Sequence, residues 1–462
     1  MRRLRQADAD MTQGVIWRQL LDFAVPMALG LLFQQLYNTV DTIVVGQFVG
    51  KEALAAVGSV GSVVNMLVGL CAGLSTGASV IISQCYGAHD NARLHDAVHT
   101  TIALTFLLCI AATVVGLAMV PLMLDLMATP ADVIELSREY LNIYFAGITG
   151  LLIYNMGSGI LRAVGDSRRP LYFLCVSALT NIVLDLVFVV VFEWGVAGVA
   201  YATIISQFAS AVLVLIVLTR SDTAYGIKWR QIRIRRGMLG RIMAIGFPSG
   251  IQQAITSFSN VFVQSYINYF GSACMAGWSS YNKLDSYITV PLQAIALAST
   301  TFVGQNYGSN NLERTRKGVN QALGMSLVVT AALGVLVMIF SRPCLRLFTA
   351  DAEVMEYGTR FIMIISPFYI MSCFNQIYAG ALRGVGNANI PMIVMLGSFV
   401  VFRQVYLLVN RIAFDNSFLG VSLAYPMGWV VCSILLFICY RRSVICHPEK
   451  AKAKAVEEVA AE

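Results

Sequence analysis

Residues 20–47 read LLDFAVPMALGLLFQQLYNTVDTIVVGQ, and the fold follows from how this stretch is understood. The apolar run is long enough to cross a hydrocarbon core ~30 Å thick as one helix. Pro26 and Asp41 do not belong in an inert span. A proline removes a helical hydrogen bond, which lipid tolerates where neighbouring helices re-satisfy the freed backbone. A carboxylate at mid-span costs at least ~2.5 kcal/mol on insertion scales, so it turns toward a protein interior or a water-filled cavity. The bland alternative places Asp41 at the outer interface, where an acid costs little.

The same composition continues from end to end. Of 462 residues, 57% are hydrophobic and only 12% charged, against about 25% charged in a soluble chain. Apolar runs long enough to span recur throughout, so the chain reads as an all-α polytopic membrane protein. The leading segment MRRLRQADADMTQGVIWRQ is polar and no small-residue cleavage site follows, so the first span is expected to be retained. The ten cysteines fall singly, as at Cys109, Cys175 and Cys432, and suit packing rather than metal binding.

A net charge of +7 admits a nucleic-acid partner, but the distribution argues against one. Basic clusters occupy alternate loops: Arg2, Arg3, Arg5 and Arg18; Arg162, Arg168 and Arg169; the run from Lys228 to Arg241; Arg314, Arg316 and Lys317; and Arg441 and Arg442. The intervening loops are short or acidic, with Asp125, Asp132, Glu135 and Glu193. This positive-inside pattern puts both termini in the cytoplasm and requires an even number of spans.

Twelve spans are predicted, at about 20–47, 54–83, 96–120, 133–160, 170–192, 196–219, 242–268, 274–303, 319–341, 355–381, 390–411 and 419–440. The expected organisation is a cytoplasmic segment 1–19, an N-lobe 20–220, a cytoplasmic linker 221–241, a C-lobe 242–440 and a cytoplasmic tail 441–462. The lobes repeat. LRAVGDSRRP at 161–170 recurs as LRGVGNANIP at 382–391, a shift of 221 residues. Under that shift QCYG at 84–87 meets QNYG at 305–308, Arg93 meets Arg314, and Gly50 meets Gly271, while Pro26 meets Pro248 with a slip of one. Six spans separate equivalent points, so the repeats enter the membrane in one direction and their two-fold axis runs along the membrane normal. A site between such halves is the usual seat of alternating access. The loop motifs have ordinary readings: the LRxVG glycine ends a helix in the left-handed conformation, its arginine faces the last carbonyls, and the later proline starts the next span.

A second polar set lies in the fifth span, YFLCVSALTNIVLDLVFVVVF, where Asn181 and Asp185 share one helical face. With Asp41 and a hydroxyl from Thr203 in the sixth span, these residues present the oxygen ligands a hard cation prefers. Two carboxylates in one dry pocket are expected to hold a proton or Na+. In the second half Phe402 replaces Asn181, Tyr406 replaces Asp185, and Arg403 stands where the first half has Ile182. Lys283, Asp285 and Arg403 are expected as a C-lobe charge cluster, structural or gating, so ion coupling belongs to the first half alone. Candidate cavity walls are Gln34 and Tyr37, on the face of Asp41, and Tyr144, Tyr154, Asn155 and Met156 in the fourth span. His95 and His99 lack a third ligand, and Cys446–His447 is a weaker metal candidate still. No P-loop, GxSxG, HExxH or glycine-rich nucleotide fingerprint is present, so neither enzyme activity, ATP-driven pumping nor a cofactor is expected.

The stretch PMALGLLFQQLYNTVDTIVVGQFVGKEALAAVG, the QCYG/QNYG pair, LRAVGDSRRP/LRGVGNANIP and Asn181-x-x-x-Asp185 together resemble the multidrug and toxic compound extrusion (MATE) family, over about Arg18 to Tyr440. The resemblance implies two six-helix lobes in a V-shaped antiporter of the bacterial inner membrane. It implies secondary active export of cationic or amphipathic compounds in exchange for Na+ or H+, with Asp41, Asn181, Asp185 and Thr203 as the ion site. One branch adds acids in the seventh and tenth spans; here Gln252 and Gln253 stand instead, which is closer to the branch named after a DNA-damage-inducible protein. Expected partners are small organic cations and the bilayer, with no nucleic acid, and the expected state is a monomer. The alternatives are a flippase for lipid-linked oligosaccharide or polysaccharide precursors and, from another class, a membrane receptor or intramembrane enzyme.

Overall fold

The computed structural model describes residues 10–126, 133–349, 351–447 and 449. The basic residues Arg2, Arg3 and Arg5, the loop acid Asp132 and most of the expected tail lie outside them. The chain is a succession of helices: α1 Ile16–Val44, α2 Lys51–Gly87, α3 Asn91–Leu126, α4 Ile134–Ala163, α5 Arg168–Asp185, α6 Gly195–Thr219, α7 Arg236–Asn268, α8 Ser272–Gly308, α9 Leu312–Ile339, α10 Ser341–Arg346, α11 Ala352–Ile365, α12 Tyr369–Gly384, α13 Asn389–Leu396, α14 Arg403–Ala413 and α15 Phe418–Arg441. A 3-10 turn, Ser366–Phe368, joins α11 to α12 across Pro367, and a π-helical segment, Gly397–Phe402, joins α13 to α14. Each of these joined pairs makes one membrane span, so the chain has twelve.

Eleven of the twelve spans are long and apolar enough to cross a bilayer by length and composition, among the described residues. The other is α7, whose 33 residues reach about 50 Å at 1.5 Å per residue. Polar side chains rather than length keep α7 off that count: Gln253, Ser257, Asn260, Gln264 and Asn268 follow one another at helical spacing. Elsewhere the outer faces are apolar, as lipid demands. On α3 the exposed large apolar residues include Leu107, Ile110, Val114, Val115, Leu117, Met119 and Leu122, a broad lipid-facing surface.

The chain divides into two compact units, and the division falls within α1 and α7 rather than between residues 220 and 242. The first unit holds Leu29–Gly250; the second holds Asp10–Ala28 and the chain from Ile251 onward. Both cuts come two residues after a helix-interior proline, Pro26 in α1 and Pro248 in α7.

Within the first unit, α4 is the central helix, packed against α2, α3 and α6. Glycines set its approach distances: a Cβ on Gly150 meets the backbone of Gln207 and Phe208, and one on Gly147 collides with Ile204. The start of α7 crosses α2 still more closely. A Cβ on Gly73 would lie 2.1 Å from the Gly250 nitrogen, and one on Gly77 2.5 Å from the Gly246 nitrogen. Two Gly-x-x-x-Gly pairs thus let backbones touch where lipid offers no hydrophobic drive for association. The segment before α7 is pinned to α3: Lys228 N donates to His99 Nε2 at 3.0 Å, Arg235 N donates to Thr100 Oγ1 at 3.2 Å, and Arg235 Nε reaches Asp96 at 3.3 Å.

Within the second unit, α8 takes the central place, against α9, α11 and α12. The QNYG motif at its end grips the N-terminal segment. Met11 N donates to Gln305 Oε1 at 2.9 Å, and Met11 O accepts from Asn306 Nδ2 and from the Arg314 guanidinium. Arg314 also donates to Gly14 O at 2.9 Å and to Gln19 Oε1 at 2.8 Å.

The repeated loops behave alike in one respect and differ from expectation in another. Gly165 and Gly386 have φ of 90° and 92°, the left-handed conformation that a side chain resists. The capping group, however, is the residue after the glycine: Asp166 accepts from Arg168 N and Arg169 N at 3.1 Å, and Asn387 accepts from Ile390 N at 3.2 Å. Arg162 and Arg383 make no hydrogen bond to the last carbonyls among the described residues, which corrects the expected role of the LRxVG arginine.

Candidate functional site: an oxygen-lined cluster in the first unit

Asp41 stands in the last turn of α1, directly before a π-helical segment, Val45–Val49. Asp185 is the last residue of α5, and a second π-helical segment, Leu186–Val191, begins immediately after it. π insertions are rare and concentrate at functional sites. The two segments touch each other and both touch α6, so three elements meet where the acids lie.

This convergence brings Asp41 and Asp185 within interaction range of one another. Asn181, one turn before Asp185, is buried with it, both at 0% exposure. Asp41 Oδ1, both Asp185 oxygens and both polar atoms of Asn181 have no hydrogen-bond partner among the described residues. Unsatisfied buried polar atoms are costly, and a cluster of them on one spot marks a place built for a ligand. Thr203, also buried, turns its hydroxyl proton back to Val199 O at 3.0 Å, which leaves the oxygen lone pairs as its outward chemistry. The donor set is carboxylate, amide carbonyl and hydroxyl oxygen, suited to a hard monovalent cation or to a proton. A neighbouring bond holds α5 to α6: Ser177 Oγ donates to Ser206 O at 2.9 Å, while Ser206 Oγ turns back within α6 to Thr203 O at 2.8 Å.

Aromatic hydroxyls surround the acids. Tyr37 is half-buried beside Gln34, Asp41 and Tyr154. Tyr140, which the sequence reading did not single out, lies within electrostatic reach of Asp41, Asp185 and Tyr37. Tyr144 stacks on it at 6.1 Å and adjoins Gln207, a second residue missed from sequence. Tyr140 precedes Tyr144 by one helical turn, and that spacing is the signal that finds it. The remaining candidates in α4 make contacts of their own, Tyr154 while still adjoining Tyr37. Tyr154 donates to Pro170 O at 3.3 Å, Asn155 bonds back to Leu151 O at 2.9 Å, and Met156 is fully enclosed in the core.

His95 and His99 stack at 3.8 Å, and both ring nitrogens of His99 are engaged, one with His95 O at 2.8 Å and the other with Lys228 N.

In the second unit, Lys283, Asp285 and Arg403 form no ion pair with one another among the described residues. Asp285 accepts from Tyr369 Oη at 2.6 Å and from Tyr281 Oη at 3.3 Å. Lys283 sits 5.7 Å from the Phe348 ring. Arg403 donates to Ser259 Oγ and Asn260 Oδ1, each at 2.9 Å, and lies 4.7 Å from the Tyr425 ring centroid. In place of the expected cluster each of the three charges has its own neutral partners, and Tyr425 lies within electrostatic reach of both Asp285 and Arg403.

Comparison with known proteins fits this architecture. The MatE family model matches residues 26–187 and again 248–408, one match per repeat. The probable multidrug resistance protein YpnP of Bacillus subtilis (strain 168) is 30% identical, over 94% of this chain and 96% of its own length. YoeA of the same organism, also a probable multidrug resistance protein, is 28% identical over 92% and 94%. A solved outward-facing structure of a multidrug resistance MATE family transporter superposes with a TM-score of 0.89 at 26% identity, covering 96% of this chain and 99% of the other. A membrane chain of twelve spans in two repeats, each matched by the one family model, belongs to the MatE family, the multidrug and toxic compound extrusion transporters.

Proposed function

We propose that this protein is a secondary active efflux transporter that exports amphipathic organic compounds, cationic ones among them, in exchange for Na+ or H+ by alternating access. The observation that carries the reading is the meeting of Asp41 and Asp185, with Asn181 one turn away on α5, whose unsatisfied oxygens suit such an ion; Thr203 on the adjoining α6 adds a hydroxyl to the proposed set. Two carboxylates at this range repel unless a proton or a metal cation lies between them. A cationic substrate that lowers the same repulsion competes with the ion, and competition of this kind is sufficient for exchange. The names of YpnP and YoeA as multidrug resistance proteins support the substrate class. The basic clusters support an inner-membrane orientation with both termini in the cytoplasm.

The test is dye efflux from proteoliposomes under an imposed Na+ gradient, a pH gradient, or neither. Export driven by one gradient in wild type, and lost in Asp41→Asn and Asp185→Asn with insertion intact, is the expected result. Gradient-driven export retained by either variant contradicts it.

A further inference from the structure

Arg403 is only 3% exposed and stands at the start of α14, directly after the π-helical segment Gly397–Phe402. A buried guanidinium ordinarily pairs with a carboxylate, because its desolvation is offset only by a good counter-charge. Here every partner is neutral: Ser259, Asn260 and the face of Tyr425. Both hydrogen bonds leave from one nitrogen, Nη2, and Nε has no partner. The nearby acid Asp285, which also influences Tyr425, is held by two tyrosine hydroxyls instead. The second unit thus keeps a buried cation whose fork of donors is largely unspent.

The surroundings say what reaches it. Asn260, a direct partner of Arg403, is exposed, and it belongs to the polar row Gln253, Ser257, Asn260, Gln264 and Asn268 on α7. Polar side chains along an exposed face of a membrane helix face water rather than lipid. The Tyr425 hydroxyl opens on the same side, 3.5 Å from Asn260 Oδ1. A solute on that face finds a guanidinium behind an amide, with an aromatic ring alongside.

We propose that Arg403, with Asn260 and Tyr425, forms a binding site in the second unit for the carboxylate of an amphipathic substrate. The inference rests on the export reading for its ligand, but it concerns equilibrium binding and requires no gradient. A carboxylate takes the bidentate fork that Ser259 and Asn260 fill only in part, and the aromatic ring of the ligand lies against Tyr425. Preferred substrates then carry a negative group as well as a lipophilic body, in contrast to a simple organic cation.

The experiment is fluorescence-anisotropy binding to purified protein in nanodiscs, with a rhodamine bearing a free carboxylate and with its methyl ester. Wild type is expected to bind the free acid about tenfold more tightly, the scale of one charge-assisted hydrogen bond. Arg403→Gln brings the two dyes to equal affinity, and Arg403→Lys, which keeps charge without the fork, restores part of the preference. Asn260→Asp supplies a carboxylate from within the protein and selectively weakens the acid; it serves as the test if Arg403→Gln does not fold. Equal binding of the two dyes to wild type, binding of neither, or a preference that survives Arg403→Gln and Asn260→Asp overturns the site. Loss of gradient-driven export in wild-type vesicles, with the dye preference intact, overturns the coupling reading and leaves this one standing.

Discussion

The two units are built on one repeated pattern, and the fifth span of each carries opposite charge, Asp185 in one and Arg403 in the other. In the first, a π-helical segment follows Asp185 at the end of α5; in the second, one precedes Arg403 at the start of α14. The positions of Asn181 and Asp185 become Phe402 and Tyr406, and Asp41 falls opposite Phe262 or Val263 according to the one-residue slip. The acids are gone, and the irregularity has moved: under the 221-residue shift 186–191 falls on 407–412, inside α14, and 397–402 falls on 176–181, inside α5. The repeats share their helix order and differ in where this helix is interrupted and in the side chains placed beside the interruption. A second contrast lies in how the units receive their borrowed segment. In the first, Gly73 and Gly77 meet Gly246 and Gly250 backbone to backbone. The equivalent positions in the second are Ala294, Ala298, Ala24 and Ala28, one methyl larger at each place.

The strongest way to break the comparison is through the acids. Asp41→Asn or Asp185→Asn is expected to reduce ion-driven export to the level of empty vesicles, and the double variant to be no worse than either single one, because they act as one site. Additive losses would separate the two residues. Next in size is Gly73→Ala, which forces a methyl into the Gly250 backbone and is expected to cost about 3 kcal/mol, read as a lowered melting temperature in detergent. Asp285→Asn is expected to cost about 2 kcal/mol by weakening the bonds from Tyr369 and Tyr281, while export keeps its dependence on the counter-ion gradient. A changed ion dependence there would mean that the second unit also binds the coupling ion. The smallest effect is Ala294→Gly, about 1 kcal/mol, the helix-propensity cost of a glycine in a helix interior.

Much of this was legible before any coordinates. Apolar length gave the spans, the 221-residue shift gave the repeat, and the price of a carboxylate in lipid singled out Asp41 and Asp185. Two features are not legible for local reasons. The LRxVG sequence points its arginine at the helix carbonyls, whereas Asp166 and Asn387 cap the following helix, a contact that spans a turn and has no periodic signature. Lys283, Asp285 and Arg403 were grouped because opposite charges in lipid usually pair, yet tyrosine hydroxyls and amides took the place of counter-ions. Tyr140 escaped notice because an aromatic in a buried helix looks the same whether it packs or faces a site.

Sequence by itself determined which segments enter the membrane, that they come in two copies, and that two acids sit where solvation is poor; each of these depends on the local balance of apolar and polar groups. Tertiary structure alone decided that α1 and α7 are divided between the units just past their prolines, and that Asp41 meets Asp185. It alone left Arg403 among neutral partners. Those outcomes depend on which helix faces touch, and the pattern along a single helix fixes its buried side without naming the neighbour that covers it.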